Sequence, residues 1–342
     1  MERTDFNTRP VHLADYQERP RIFQAWERVR HSRAQWVIDC VSEALGVFFY
    51  CFAGVGATAP FVLGNLLELP NIGSLFTVGF GYAIGIGLAI SICSSQNGGH
   101  FNPAVTITAV LFKKYPVKTA ARHIFAQILG GYIACLLIYL QWKQLITETE
   151  AGLAAKGKLD AIQFTPNGPA GIIAVYATPG SSLGIVFINE FVNSFVIALV
   201  IWACVDPTNH FLPPVVVPWV IGLTYAIAIW GYSPVGLAAN SARDIGGRLA
   251  ALTIWGTKAS GGSYAALAAL TNIPATILAY IVYEVCFADS SRVLQPCHRT
   301  IIENHRSETA YRRNMQMYGS VASTASDIGN KDLIGHREAQ PV

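Results

Sequence analysis

The 342 residues are 52% hydrophobic and only 13% charged, with 24 Lys and Arg against 21 Asp and Glu for a net charge of +3. A soluble domain usually carries about 25% charge, so the shortage points to lipid and excludes an ordinary aqueous globule. The balance is only mildly basic and neither end interleaves basic with aromatic residues, which argues against a nucleic-acid partner.

Residues 1–35 are polar and rich in arginine (Arg19, Arg21, Arg28, Arg30, Arg33). So long a charged lead is not expected of a cleaved signal peptide, and the first apolar run is expected to stay in the membrane. A spanning helix needs about 20 mostly apolar residues. Six segments qualify: 36–57, 74–95, 117–142, 183–205, 213–231 and 262–287. Two more apolar stretches, 102–112 and 240–255, are too short or too polar to cross alone. The chain therefore reads as an all-α membrane protein with six transmembrane helices and two re-entrant half helices. A tail over 1–35 precedes a membrane domain over 36–287, and a second polar tail covers 288–342. The stretch 143–182 mixes Gly, Pro and charges and reads as an irregular loop, with no residue that names a role. The seven cysteines show no paired spacing and read as small buried hydrophobes, not as a disulfide or metal framework.

The domain repeats itself. Glu43 in the first span answers Glu190 in the fourth, and each precedes one short apolar stretch, giving copies over 36–142 and 183–287. An odd number of spans per copy forces the second to insert upside down, which sets paired broken helices against each other near the midplane. Both tails are Arg-rich, and Lys113, Lys114, Lys118 and Arg122 follow the first short helix, whereas 60–73 has no Lys or Arg. Both termini are thus expected in the cytoplasm.

Each short helix opens on an asparagine: His100-Phe101-Asn102-Pro103-Ala104 in the first copy and Ala239-Asn240-Ser241-Ala242-Arg243-Asp244 in the second. An asparagine there caps free backbone N–H groups with its oxygen and leaves its NH₂ to point into a lumen. Pro103 suits the first helical position, where a missing N–H is harmless. Non-helical backbone before each helix is tolerated at membrane depth only against protein or a watery cavity, so its carbonyls can line a pore. Two helix N-termini meeting there place positive partial charge at the centre, and Arg243 adds a fixed charge that excludes protons and cations. One Asn-Pro-Ala tripeptide alone often merely starts a helix; two copies in matching places carry the reading. Glu43 and Glu190 read as structural carboxylates satisfied by the irregular backbone. His100 is either a titratable gate or a brace for that loop, and Gly130-Gly131 with Ala134 suggest close helix packing. His100 and His123 lie near the first short helix, yet no grouping has metal-ligand spacing and no nucleophile has its base. The sequence implies no enzyme, no metal and no cofactor.

With these residues the whole region 36–287 resembles the aquaporin and aquaglyceroporin (major intrinsic protein) family. The marks are Gly99-His100-Phe101-Asn102-Pro103-Ala104-Val105-Thr106, the degenerate Asn240-Ser241-Ala242-Arg243, the repeated Glu43 and Glu190, and Ala126-Gln127 with Gly130-Gly131. The resemblance implies the hourglass fold, a homotetramer with one pore per subunit, and passive flow across a bilayer, by expectation the plasma membrane. It makes Asn102 and Asn240 the central pore donors and Arg243 the filter arginine. Leu237 stands where strict water channels often carry Cys. The span-two filter residue is Tyr82 by an ungapped count, or Phe80 after a two-residue shift; the span-five residue is Ile229, or Ala228 without a gap. Neither span-five choice supplies the histidine usual in strict water channels. Asp244, Arg248 and Pro274 resemble the glycerol-conducting branch, so glycerol and similar polyols are expected to pass together with water. Ser241 departs from the family's usual proline and leaves the second half helix more adaptable. That variation, with long polar tails, resembles fungal members more than animal ones. A water or hydrogen peroxide channel is the alternative; a secondary transporter, which needs a coupling site, and a closed scaffold stand further off. Tyr16, Tyr311, Tyr318 and the serines of 320–326 are candidate regulatory sites in the tails.

Overall fold

The computed structural model describes residues 11–313, so Tyr318 and the serines of 320–326 lie outside the described residues. In chain order the α-helices are α1 (Leu13–Tyr16), α2 (Arg21–Val29), α3 (Gln35–Leu66), α4 (Leu75–Asn97), α5 (Pro103–Phe112), α6 (Val117–Ala155), α7 (Leu159–Ile162), α8 (Pro169–Ile173), α9 (Leu183–Val205), α10 (Val217–Gly231), α11 (Ser241–Trp255), α12 (Gly262–Leu270) and α13 (Asn272–Cys286). A further helix covers 296–313, and no strand occurs among the described residues. The chain forms two compact units: Asp39–Val293, and the two chain ends up to Ile38 and from Leu294.

Within Asp39–Val293, five runs are long and apolar enough to cross a membrane: α3, α4, α6, α9 and α12 with α13. The remaining span, α10, is 15 helical residues where 213–231 was expected, because Pro213 and Pro214 lie in turns before it. The last span breaks at Thr271 into α12 and α13. Pro274 has no N–H to offer the carbonyl of residue 270, which accounts for the interruption. α3 continues through Pro60 to Leu66, well past the expected end at 57. α6 runs 39 residues, about 58 Å at 1.5 Å per residue, so the first third of the expected loop 143–182 is helix. The remainder of that stretch is not loose either: α8 begins on Pro169 and buries Ala170, Ile172 and Ile173 completely.

Outward faces of the spans are apolar, as with Phe80, Ile92, Phe125, Ile188 and Ile281. The polar groups are inside: Glu43, Gln127 and Glu190 have no exposed surface. That inversion is what a lipid solvent selects, since burial of a polar group is favourable only where it finds partners. The two copies interlock, with α10 packed on α4, α11 on α6 and α13 on α5, while α13 also packs on α9 of its own copy. Glycine permits the closest of these approaches. A Cβ at Gly246 would sit 2.7 Å from the Tyr132 nitrogen and 2.8 Å from the Ile128 carbonyl oxygen, and one at Gly130 would strike the Ala44 carbonyl.

Candidate functional site

Two half helices meet inside this bundle, and their first residues are tied together crosswise. Asn102 caps α5, its side-chain oxygen accepting from the Ala104 nitrogen at 2.9 Å. Asn240 caps α11, accepting from Ala242 at 2.8 Å and Arg243 at 3.3 Å. Both amides also donate across the junction: Asn102 Nδ2 to the Ala239 carbonyl at 3.3 Å, and Asn240 Nδ2 to the Phe101 carbonyl at 2.8 Å. One amide N–H of each is thus engaged by the opposite loop, where the sequence had both facing a lumen, and the Asn102 side chain also bonds the Tyr225 hydroxyl. The residue just before each asparagine is left-handed, Phe101 at φ 48° and Ala239 at φ 52°. A non-glycine residue holds that conformation at a cost of about 1–3 kcal/mol, and here it turns both carbonyls toward the opposite asparagine.

A buried glutamate holds each loop. Glu43 accepts from the backbone nitrogens of His100 (2.9 Å) and Phe101 (2.8 Å), and from Asn97 Nδ2 (3.0 Å) and Gln127 Nε2 (2.7 Å). Glu190 accepts from the nitrogens of Ala238 (2.8 Å) and Ala239 (3.3 Å) and from the Tyr264 hydroxyl (3.3 Å). Folding brings Glu43, His100 and His123 within 4.8 Å of one another, a grouping that residue spacing had not revealed. Its carboxylate lone pairs are already filled by four N–H donors, so the cluster is a hydrogen-bond hub, with His100 Nδ1 on Thr106 Oγ1 and His123 Nδ1 on the Tyr115 hydroxyl.

Arg243 is 4% exposed. Its Nε and Nη2 donate to the Tyr82 hydroxyl (3.2 and 3.1 Å) and Nη1 to the Ile173 carbonyl (3.1 Å). Of five guanidinium N–H groups, three are engaged in these bonds. Tyr82, Ile229, Leu237 and Arg243 line one cavity of about 180 Å³. Phe80 instead stacks on Phe76 and is half-exposed, while Ala228 is buried away from the cavity. On the other side of the asparagine junction lies a cavity of about 320 Å³, lined by His100, Asn102 and Asn240 among others. Asp244 pairs with Arg248 at 2.9 Å, and Arg248 also donates to the Val175 carbonyl at 2.6 Å. Arg248 lies over the Tyr176 ring, whose phenol burial pushes up to about 12. Ser241 is fully covered and donates to Asn272 at 3.0 Å; Pro274 is an exposed third residue of α13.

Over residues 30–259 the chain matches the pattern of the major intrinsic protein family. The chain belongs to that family. Its members are channels and not enzymes, and this chain is a multi-span membrane protein among them. Among its relatives is Aquaporin-3 of Laccaria bicolor, 52% identical over 301 residues that cover 86% of this chain and 91% of that one. Aquaglyceroporin-2 of Rhizophagus irregularis is 37% identical over 61% of this chain and 63% of its own length. The X-ray structure of the aquaglyceroporin from Plasmodium falciparum shares the fold at a TM-score of 0.59 and 24% identity, over 73% of this chain and 97% of that one. The fungal relatives agree with the resemblance drawn from Ser241 and the tails.

Sequence reasoning missed several residues of these cavities and of the arginine contacts. Tyr50 and Tyr225 line both cavities and pack with ring centroids 5.7 Å apart, forming a wall common to the two. Tyr50 lies seven residues after Glu43 on the same helical face, a signal that was available. The Ile173 and Val175 carbonyls were not legible, because a five-residue helix carries no periodicity and backbone acceptors leave no mark in side-chain identity.

Proposed function

We propose that this channel passes small uncharged solutes passively, with glycerol and related polyols as its main cargo and water moving too. The observation that carries the reading is the mixed lining around Arg243. Arg243, with two N–H groups beyond those bonded to Tyr82 and Ile173, and Tyr82 line the same 180 Å³ cavity as the greasy side chains of Ile229 and Leu237. A polyol offers hydroxyls to the first set and carbons to the second. In this reading Tyr82, Ile229, Leu237 and Arg243 form the filter, and the amides of Asn102 and Asn240 are the central pore donors. Pro103 and Ser241 start the half helices whose positive ends repel cations, and Glu43 and Glu190 are structural carboxylates that hold the loops. Asp244, Arg248 and Pro274 are the glycerol-branch marks, and kinship with a relative named an aquaglyceroporin leans the same way. The channel would work as a homotetramer in the plasma membrane with both tails cytoplasmic, in keeping with the Lys and Arg distribution.

Purified protein in liposomes, followed by stopped-flow light scattering with glycerol, urea and water, tests this. Glycerol flux well above that of empty liposomes is the expected outcome. Fast water with no glycerol would replace it with a strict water channel, and dependence of uptake on a proton gradient would replace passive flow with coupled transport.

A further inference from the structure

The unit built from the chain ends contains a helix that is inside out for water. At 100° per residue, Ile22, Ala25, Trp26 and Val29 of α2 fall on one stripe about 100° wide. All four are exposed, Ile22 at 74% and Trp26 at 45%. Gln24, Glu27 and His31 stand on the opposite side. They line a polar cavity of about 550 Å³ whose other wall includes Ser307, Glu308 and Tyr311 of the 296–313 helix. The polar face of α2 is therefore the one turned inward, and the apolar face is turned out.

We infer that α2 lies flat on the bilayer surface and binds anionic lipid headgroups, its Ile22–Trp26 stripe in the acyl boundary and its arginines on the phosphates. Chain connectivity supplies the first argument. Only the π-helical turn Arg30–Ala34, a kind of turn at which helices kink, separates α2 from α3, so α2 ends within about 8 Å of the start of a membrane-crossing helix. Length supplies the second, since nine residues span about 14 Å, far too little to cross a bilayer but ample for an interfacial helix. Charge supplies the third. Residues 19–33 carry five arginines against one glutamate; Arg19, paired with Glu27, and Arg28 line the inward cavity, while Arg21 and Arg33 are exposed outside it. A short helix with one apolar stripe and a cationic flank, tied to a transmembrane span, has the chemistry of an anionic-lipid anchor.

Hydrogen–deuterium exchange of amides 21–29, measured on the full chain in nanodiscs with and without phosphatidylserine, tests the assignment. Exchange is expected to be several-fold slower in the phosphatidylserine discs, and raised salt should erase the difference by screening. The double variant Ile22→Glu, Trp26→Glu is expected to lose that protection while solute flux stays as in the parent. Equal exchange in the two disc types overturns the proposal, and so does protection that survives the double variant, which would show a protein neighbour covering the stripe. The lipid comparison on the parent chain needs no variant to fold, and its outcome is independent of which solute the pore passes.

Discussion

Arg243 uses three N–H donors on Tyr82 and Ile173, so its removal changes shape and charge together. Arg243→Ala empties part of the 180 Å³ cavity and frees the Tyr82 hydroxyl. The expected result is a wider solute range in liposome flux assays and measurable cation leak by conductance; selectivity identical to the parent would remove Arg243 from the filter. Asn240→Asp is a sharper probe of the asparagine junction. A carboxylate still caps α11, but it has no N–H for the Phe101 carbonyl 2.8 Å away and sets two oxygens face to face. Neutral-solute flux should fall by about tenfold or more, since losing a buried bond of this kind costs on the order of 1–3 kcal/mol. Undiminished permeation would show that the amide donates to nothing that matters. Ser241 illustrates how far a residue can be read in isolation. The loss of proline suggested a looser half helix, yet the serine hydroxyl binds Asn272 and ties α11 to α13. A partner 31 positions away leaves no local trace.

At the scale of elements, the half helices depend on glutamates that sit on other helices. Glu190→Leu strands the Ala238 and Ala239 nitrogens in a buried loop. At about 1–3 kcal/mol for each orphaned donor, the thermal midpoint in detergent should fall clearly, whereas Glu190→Gln keeps one acceptor and should fall less. Gly246→Ala sets two effects against each other. Alanine gains about 1 kcal/mol of helix propensity over glycine, but its Cβ would press on backbone atoms of α6 at 2.7 and 2.8 Å, which no rotamer can relieve. Overpacking of that kind costs about 1–3 kcal/mol, so the net sign is destabilising and visible in the same melt; an unchanged midpoint would mean that α6 and α11 can slide apart freely. These examples also mark what the sequence made legible. Long apolar runs, paired asparagines and paired glutamates have period or identity, and they located the spans, both half helices and Arg243. Extents were read less well: α3, α6 and α10 end where prolines and polar turns act through their neighbours, and α8 is too short to announce itself.

For the molecule as a whole, the inverted copies are held together by packing between copies and not by the chain that joins them. α4 rests on α10 and α6 on α11, each pair drawing one helix from either copy. Crossed asparagine bonds join the half helices at the centre. Glu150, near the end of α6, accepts from Gln163 at 2.6 Å and from Trp255 at 2.8 Å, so the stretch 143–182 is stapled to both copies. Between these attachments Lys156, Gly157 and Lys158 are exposed, with Gly157 in a left-handed turn at φ 65° that brings no side chain into the core. A cut there removes one covalent link and none of the buried contacts. Because Ile173 and Val175 lie on the same side of the cut as Arg243 and Arg248, their hydrogen bonds to those arginines also survive. With a specific protease site placed between Gly157 and Lys158, the cleaved protein is therefore expected to run as one particle in mild detergent and to keep its solute flux after reconstitution. Two fragments that separate on size exclusion would mean that the connection, and not the interlocked helices, holds the two copies in register.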